Sequence, residues 1–189
     1  MRLDYTRRMP WKRLLPHILG SEGQMTQIVS GNNAPGFSLQ DSNGKDYSLS
    51  RLLESAPVVA AFFKVSCPVC QYTFPFLERL HQRYGKTAIF LGISQDDARA
   101  TKQFADQYGV TFPTPLDESA KNYPASNAYG LTNVPTVFLI EPDSSIKVVC
   151  NGFDKKGLED IAAFLAERQQ SAPAVLFRPE EKVPDHKPG

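Results

Sequence analysis

Residues 57–71 read Pro-Val-Val-Ala-Ala-Phe-Phe-Lys-Val-Ser-Cys-Pro-Val-Cys-Gln. The apolar first half is typical of a β-strand that is buried on both faces. Beyond it, apolar residues recur at helical spacing as far as Tyr84, and Gly85 is placed to end that helix. The sequence therefore predicts a buried strand followed by an amphipathic helix, with Cys67 at the helix N-terminus and Cys70 nearly one turn later.

This cysteine pair is suited to thiol–disulfide exchange. Free backbone N–H groups and the helix dipole favour the thiolate of Cys67, which is the reactive form of a cysteine. Pro68 fits the first helical turn, because its missing N–H would have no partner there. Cys70 can attack a mixed disulfide at Cys67 and release the bound partner. We predict that Cys67 is the attacking thiolate and Cys70 the resolving thiol, with no bound cofactor.

Structural zinc and two inert buried thiols are the alternatives to a catalytic pair. Structural zinc takes about four ligands, usually with a second Cys or His pair. The remaining candidates show no paired spacing: Cys150, His17, His81 and His186. No metal site is therefore predicted. Cys150 stands alone and is expected to pack as a small apolar residue, with a regulatory or intermolecular thiol as the alternative.

The composition excludes several classes of protein. The 189 residues include 21 Lys and Arg against 20 Asp and Glu, a formal net charge of +1. No general field therefore attracts nucleic acid or an anionic membrane surface. No apolar run reaches the roughly 18 residues that a membrane-spanning helix needs. Three cysteines are too few for a disulfide scaffold.

The rest of the chain alternates between strand and helix patterns. A hairpin is predicted within residues 35–50, around the turn signal Asn43-Gly44. The further elements expected are a strand at 88–93, a helix at 96–108, a short strand at 110–114, a short helix ending near 129, strands at 136–140 and 146–150, and a final helix with Leu158, Ile161, Ala162 and Leu165 facing the core. The early strand–helix–strand units give parallel pairing, whereas the late strand pair must be antiparallel.

We predict three regions along the chain. Residues 31–170 form one domain, preceded by an extension over 1–30 that is expected to be poorly ordered. Residues 171–189 form a Pro-rich C-terminal tail whose prolines interrupt any helix. Within the tail, the apolar residues 175–177 can dock on the domain or on a partner, and local packing is the simpler expectation.

The N-terminal residues do not resemble a standard signal peptide. The only apolar stretch after the basic start, residues 14–19, is short and contains Pro16 and His17. A cytoplasmic location is therefore expected, with a periplasmic or anchored form as the alternative. Met25 is an alternative start. We also expect a monomer.

The sequence resembles the thioredoxin superfamily over about residues 33–168. The first shared feature is the Cys67-Pro68-Val69-Cys70 motif after an apolar strand. The second is Pro75, which is similar to the helix-kinking proline of that family. The third is the segment 129–140, which is similar to the family's cis-proline segment, with Pro135 as the matching residue. The resemblance implies a three-layer α/β/α sandwich with a mixed central sheet and a cis Val134–Pro135 bond.

Two additions point to a subgroup of that superfamily. Ala34-Pro35-Gly36-Phe37 with the hairpin after it, and the extra helix near 96–108, are similar to AhpC/TSA and TlpA-like redoxins. The subgroup implies a thioredoxin-like fold with an added N-terminal β-hairpin. It also implies a thiol–disulfide oxidoreductase.

The resemblance further implies where and on what such an enzyme acts. Val134, Pro135, Ser66 and Pro68 are expected to shape a groove for protein or peptide disulfides, with the backbone of Val134 pairing with the substrate like an added strand. An external dithiol or disulfide is the expected electron partner. Four aromatic residues suit a peptide-binding surround, although such residues are more often core: Phe63, Tyr72, Phe74 and Tyr129.

The sequence departs from typical thioredoxins at the active site. Ser66 stands where they carry Trp, and Ala61 stands where they carry a buried Asp. An internal base for the Cys70 proton is therefore not evident. Lys64 can stabilise a thiolate, and Glu78 and Glu141 can accept a proton, but all three are expected to be surface charges.

Two rival functions are weighed against this one. A thiol peroxidase would reduce a hydroperoxide through a sulfenic acid at Cys67. The peroxiredoxin pattern P-x-x-x-T/S-x-x-C is absent whether one counts back from Cys67 or from Cys70. The other rival is a non-catalytic binding module on the same fold.

Overall fold

The computed structural model describes residues 27–189. The extension predicted over residues 1–30 and the alternative start at Met25 therefore lie almost wholly outside the described residues. Within residues 27–189, no helix has the length and apolar character needed to cross a membrane.

The described chain contains eight strands and five α-helices. The strands are β1 (Ser38–Gln40), β2 (Asp46–Ser48), β3 (Val58–Phe63), β4 (Ile89–Ser94), β5 (Thr136–Ile140), β6 (Ile146–Asn151), β7 (Phe153–Asp154) and β8 (His186–Lys187). The helices are α1 (Leu49–Leu53), α2 (Pro68–Tyr84), α3 (Ala98–Tyr108), α4 (Pro124–Ala128) and α5 (Lys155–Arg168). Short 3₁₀ turns occupy Ser119–Lys121 and Pro179–Glu181.

The central sheet has the strand order β4-β3-β5-β6. Strands β3 and β4 are parallel, whereas β5 is antiparallel to both β3 and β6. This confirms the predicted mixed sheet, with its early parallel pair and its late antiparallel pair. Strands β1 and β2 form the predicted antiparallel hairpin.

Strand β3 is apolar throughout because both faces of the sheet are covered. Its odd-numbered residues pack against α2, α3 and α5, and its even-numbered residues pack with the hairpin, α1 and α4. Every side chain of the strand is buried. The arrangement is the predicted three-layer α/β/α sandwich, and it fixes the end of β3, from which the cysteine motif emerges.

The prediction of a short strand at residues 110–114 is wrong. The segment does run beside β4, where Gly92 N–H donates to Pro113 O and Ser94 N–H donates to Pro115 O, each at 2.9 Å. Pro113 and Pro115 carry no N–H and cannot return these bonds, so a regular ladder does not form. Just after this segment, Leu116 makes isolated bridges to Gln40 and to Ser94.

The C-terminal tail, residues 171–189, does not pack only locally. Leu176 is buried at 3% exposure. The ring of Phe177 packs on Phe76 of α2 with centroids 5.0 Å apart. Strand β8, near the end of the tail, pairs antiparallel with β7. The apolar residues between the prolines thus dock on the domain, the other expectation considered for them.

Candidate active site

Cys67 lies between the end of β3 and the first turn of α2. It is the N-cap of that helix, and its Sγ accepts a hydrogen bond from the N–H of Cys70 at 3.2 Å. Pro68 occupies the first helical position, as predicted. Cys67 is half-buried and Cys70 is fully buried, and both are free thiols. One sulfur therefore faces solvent and a backbone donor, while the other stays inside the domain.

Burial raises the pKa of the Cys70 thiol well above its ordinary value. A hydrogen bond to the Cys67 side chain and the charge of Cys67 raise that pKa further. Cys70 therefore keeps its proton at neutral pH. The structure places one sulfur where it is partly accessible and the other where it is fully buried.

The predicted cis bond between Val134 and Pro135 is present. The Cys67 thiol donates to the carbonyl oxygen of Val134 at 3.3 Å. Pro135 is buried and Val134 is half-buried, immediately before β5. Gly152 N–H donates to Pro135 O at 2.8 Å, which holds this loop against the strand pair. The sequence-distant loop and the cysteine motif thus meet.

Ser66 and Pro68, the other predicted groove residues, are exposed on either side of Cys67. Of the four aromatic residues considered for the surround, Phe63, Phe74 and Tyr129 are fully buried in the core. Only Tyr72 is partly exposed. The surface around the Cys67 sulfur is consequently less aromatic than the sequence suggested.

Two residues that sequence reasoning missed hold the peptide of Val65. Its N–H donates to Oδ2 of Asp96 at 2.7 Å, and its carbonyl accepts from Nε2 of Gln71 at 2.9 Å. Because this peptide lies just before Ser66, the two contacts fix the approach to Cys67. After burial and the effects of Cys67, the charge of Asp96 also raises the pKa of Cys70.

The strand topology could have predicted that Asp96 lies beside the cysteine motif. From the sequence pattern alone, Asp96 was expected only to lie at the start of a helix. Since β3 and β4 are parallel neighbours, the loops that follow them meet at one edge of the sheet. An acidic residue directly after β4 is therefore expected beside the cysteine motif directly after β3.

The three charged side chains considered as a thiolate stabiliser or as proton acceptors make contacts away from the cysteines. Glu78 accepts from the N–H of Thr111 at 2.8 Å. Glu141 lies 3.5 Å from Nζ of Lys147. Lys64 is exposed, with Nζ 6.0 Å from the ring centroid of Tyr123. All three are surface charges, as expected.

Cys150 lies on β6 opposite Val137 of β5, and it is fully buried with its sulfur close to Gly157 of α5. Burial, followed by the charges of Asp154 and Asp160, raises its pKa. This supports the prediction of an apolar core role. Among residues 27–189, no group of three or more His, Cys, Asp or Glu side chains is arranged to hold a metal ion.

A polar cleft of about 310 Å³ adjoins the cis-proline loop. Val134 forms one wall, and the lining also includes Lys64, Gln95, Ser126 and Asn133. Lys64, which follows β3, and Val134 are thus distant in sequence but border the same open cleft.

Comparisons with known proteins agree with this geometry. Residues 30–149 match the AhpC/TSA family. Thiol-disulfide oxidoreductase ResA of Geobacillus thermodenitrificans is 28% identical over 144 residues, which cover 75% of this chain and 79% of the relative. ResA of Halalkalibacterium halodurans is 31% identical over 134 residues, covering 69% and 74%. The thioredoxin domain of a thiol-disulfide oxidoreductase from Bacteroides vulgatus has a TM-score of 0.66 at 17% identity, covering 74% of this chain and 99% of that one.

The fold, the paired thiols and these relatives define the class: a thioredoxin-like thiol–disulfide oxidoreductase. The chain belongs to the AhpC/TSA family, since the match covers more than half of it. Both the resemblance and the enzyme class predicted from the sequence are confirmed.

Proposed function

We propose that Cys67 and Cys70 are the catalytic pair and that the enzyme reduces disulfides in proteins or peptides. The observation that carries this proposal is the contrast between the two sulfurs. Cys67 is accessible and accepts the N–H of Cys70, whereas Cys70 is fully buried. An N–H directed at a sulfur stabilises negative charge on it, and the thiolate is the nucleophile in exchange.

The reaction takes two exchange steps. The Cys67 thiolate attacks one sulfur of the substrate disulfide, so that bond breaks, a mixed disulfide forms, and the other substrate sulfur leaves as a thiolate that takes up a proton. Cys70 then loses its proton and attacks the Cys67 sulfur. A Cys67–Cys70 disulfide forms and the second substrate thiol is released. Two electrons have passed to the substrate, and an external dithiol restores the pair.

Formation of the mixed disulfide prepares Cys70 for the second step. The negative charge of Cys67 and its hydrogen bond are among the causes that raise the pKa of Cys70 after burial. Both change once the Cys67 sulfur is bonded to substrate. The pKa of Cys70 then falls, which favours loss of its proton in the second step.

The loop at Val134 supports a polypeptide substrate. Its carbonyl lies beside the Cys67 sulfur, and an extended chain can pair with such a backbone as an added strand. Ser66 and Pro68 are exposed next to Cys67, so a chain reaching the sulfur passes over them. Val134, Ser66 and Pro68 would form the substrate groove together with Pro135.

The test is dithiothreitol-dependent reduction of a peptide disulfide by wild type, Cys67→Ser, Cys70→Ser and Cys150→Ala. We expect Cys67→Ser to lose turnover, Cys70→Ser to accumulate a mixed disulfide, and Cys150→Ala to keep turnover as the control. Full turnover in Cys67→Ser would overturn the proposal. So would rapid hydroperoxide consumption that depends on Cys67 without reduction of the peptide, because that result indicates a peroxidase.

A further inference from the structure

The tail runs back along α2 toward the active site. Near the C-terminal end of the helix, the N–H of Ala174 donates to the hydroxyl oxygen of Tyr84 at 2.8 Å. One turn closer to the cysteines, Nη1 of Arg79 donates to the carbonyl of Leu176 at 2.9 Å. Tyr84 is fully buried, so the first contact fixes the tail to the core.

An ion pair anchors the middle of the tail. The guanidinium of Arg79 binds both carboxylate oxygens of Glu181, with Nη1 2.8 Å from Oε2. Phe177 adds apolar contact, packing on Phe76 and on Phe153 with centroids 5.0 and 5.9 Å apart. Bidentate pairing gives the anchor a defined geometry.

Beyond the anchor, the tail becomes a strand. In the β7–β8 pair, His186 lies opposite Asp154 and Lys187 lies opposite Phe153. The N–H of Lys155 donates to the carbonyl of Asp185 at 2.9 Å. The protein's own chain therefore adds a strand to the exposed edge of β7.

The end of this strand reaches the cis-proline loop. A Cβ on Gly189 would lie 2.5 Å from the carbonyl oxygen of Val134 and 2.7 Å from Nδ2 of Asn133. A Cβ on Gly152 would collide with the carbonyl oxygen of Lys187. Two backbones lie in direct contact at both points, and only glycine leaves room for them.

Val134 is thus contacted by two partners. Its carbonyl accepts the Cys67 thiol, and the same oxygen adjoins Gly189. In the proposed function, the backbone of Val134 pairs with an extended substrate. The tail and such a substrate would require the same space.

The geometry points to residues 185–189 as an intramolecular occupant of the polypeptide groove, which a protein substrate must displace before it pairs with Val134. This inference rests on the proposed function and adds a selection between substrates. A small disulfide needs only the Cys67 sulfur and reacts with the tail in place. An extended polypeptide needs the loop at Val134, and it reacts only from the tail-released state.

Release of the tail therefore limits the reduction of extended polypeptides but not of small disulfides. The apparent affinity for a polypeptide is lowered by the fraction of molecules in which the groove is free. Weakening the anchor raises that fraction without touching the cysteines. Glu181→Gln removes the charge of the anchor, and Asp160→Asn makes the same chemical change in the exposed Lys156–Asp160 pair of α5.

The first experiment compares reduction rates for a peptide disulfide and for bis(2-hydroxyethyl) disulfide. We expect Glu181→Gln to raise the peptide rate by about two- to fivefold and to leave the small-disulfide rate unchanged. Asp160→Asn should change neither rate. Equal effects of Glu181→Gln on both substrates, or no effect on either, would overturn the inference.

The second experiment observes displacement directly. Cys70→Ser is treated with a peptide disulfide or with bis(2-hydroxyethyl) disulfide, each of which leaves half of itself on Cys67 as a mixed disulfide and releases the other half as a thiol. Amide hydrogen exchange is then followed, and we expect faster exchange of the tail and of the Lys155 amide only in the peptide adduct. A peptide adduct without faster exchange overturns the inference alone, whereas the absence of an adduct at Cys67 with both disulfides overturns the proposed function.

Discussion

The N–H of Cys70 lies 3.2 Å from Sγ of Cys67, so the helix that carries both thiols directs a backbone donor at one of them and buries the other. The separation of roles follows from position alone. A residue at the N-cap faces the free donors of the helix, and a residue three positions later turns toward the core. Position in the fold is therefore enough to give the two cysteines different environments.

Asp96→Asn is expected to speed the second exchange step near neutral pH. The change keeps an oxygen that can accept the Val65 N–H but removes a negative charge. Since that charge adds to burial and to Cys67 in raising the pKa of Cys70, its loss lowers this pKa. We expect the pH profile for release of a mixed disulfide at Cys67 to shift to lower pH by less than about one unit.

Asp96→Ala separates charge from positioning. It removes the acceptor of the Val65 N–H as well as the charge, so the approach to Cys67 loses one of its two supports. We expect slower attack by Cys67 in this variant and unchanged attack in Asp96→Asn. Equal impairment in both variants, or a wild-type profile in Asp96→Asn, contradicts the prediction.

Acid should release the tail. Its hydrogen bonds with Arg79 lower the pKa of Glu181 to about 2, against an ordinary value of 4.5. Because this pKa is lower in the attached state, the carboxylate stabilises attachment above pH 4.5, and that stabilisation is lost as the pH falls from 4.5 toward 2. NMR of the Ala174 amide, which donates to Tyr84, reports the transition.

The control for acid release is Glu181→Gln, in which the amide should lose most of its dependence on pH over that range. Protection of the β3 amides shows whether the domain itself stays folded. An unchanged pH profile in Glu181→Gln would mean that another group governs the attachment.

The sequence predicted the parts of the fold that have a clear periodicity. The buried run before Cys67, the stripe of α2 and the alternation of strand and helix all require burial of apolar residues, and burial leaves a regular pattern. The segment 110–114 has strand-like residues, but Pro113 and Pro115 prevent the ladder. The residue types favour a strand there, but the prolines cannot donate the hydrogen bonds that a strand needs, so no strand forms.

The contacts of the tail leave no such pattern. Strands β7 and β8 have two residues each, too few for an alternation to be recognised. Gly152 and Gly189 matter because each lets its backbone approach another that is distant in sequence, at Lys187 and at Val134. The cysteine pair and Pro135 could be predicted because their chemistry lies in residue type, whereas Asp96 and Gln71 act through positions that only the folded chain defines.

Gly157→Ala is expected to destabilise the domain although alanine favours helices. The new methyl group would lie 2.5 Å from Sγ of Cys150 and 2.7 Å from Oδ2 of Asp154, the N-cap of α5. Overpacking of this kind costs about 1–3 kcal/mol. Urea denaturation measures the change, and Gly36→Ala serves as the control because no atom lies within 4 Å of its new Cβ. Equal stability of the two variants would contradict the prediction.

Asp117→Ala should destabilise the segment that leads to the cis-proline loop. Asp117 is fully buried and accepts the N–H groups of Ala125 and Ser126 at 3.0 and 2.7 Å, together with the Ser126 hydroxyl at 2.6 Å. Its removal leaves buried donors at the start of α4 without an acceptor, which costs about 2–4 kcal/mol. Asp106→Ala, which breaks only an exposed pair with Lys102, should change the free energy of unfolding by less than about 1 kcal/mol. Urea denaturation of the two variants checks the difference, and Asp117→Asn, which keeps one acceptor oxygen, should fall between them. A loss in Asp117→Ala no larger than that in Asp106→Ala would show that these three hydrogen bonds do not hold α4 in place.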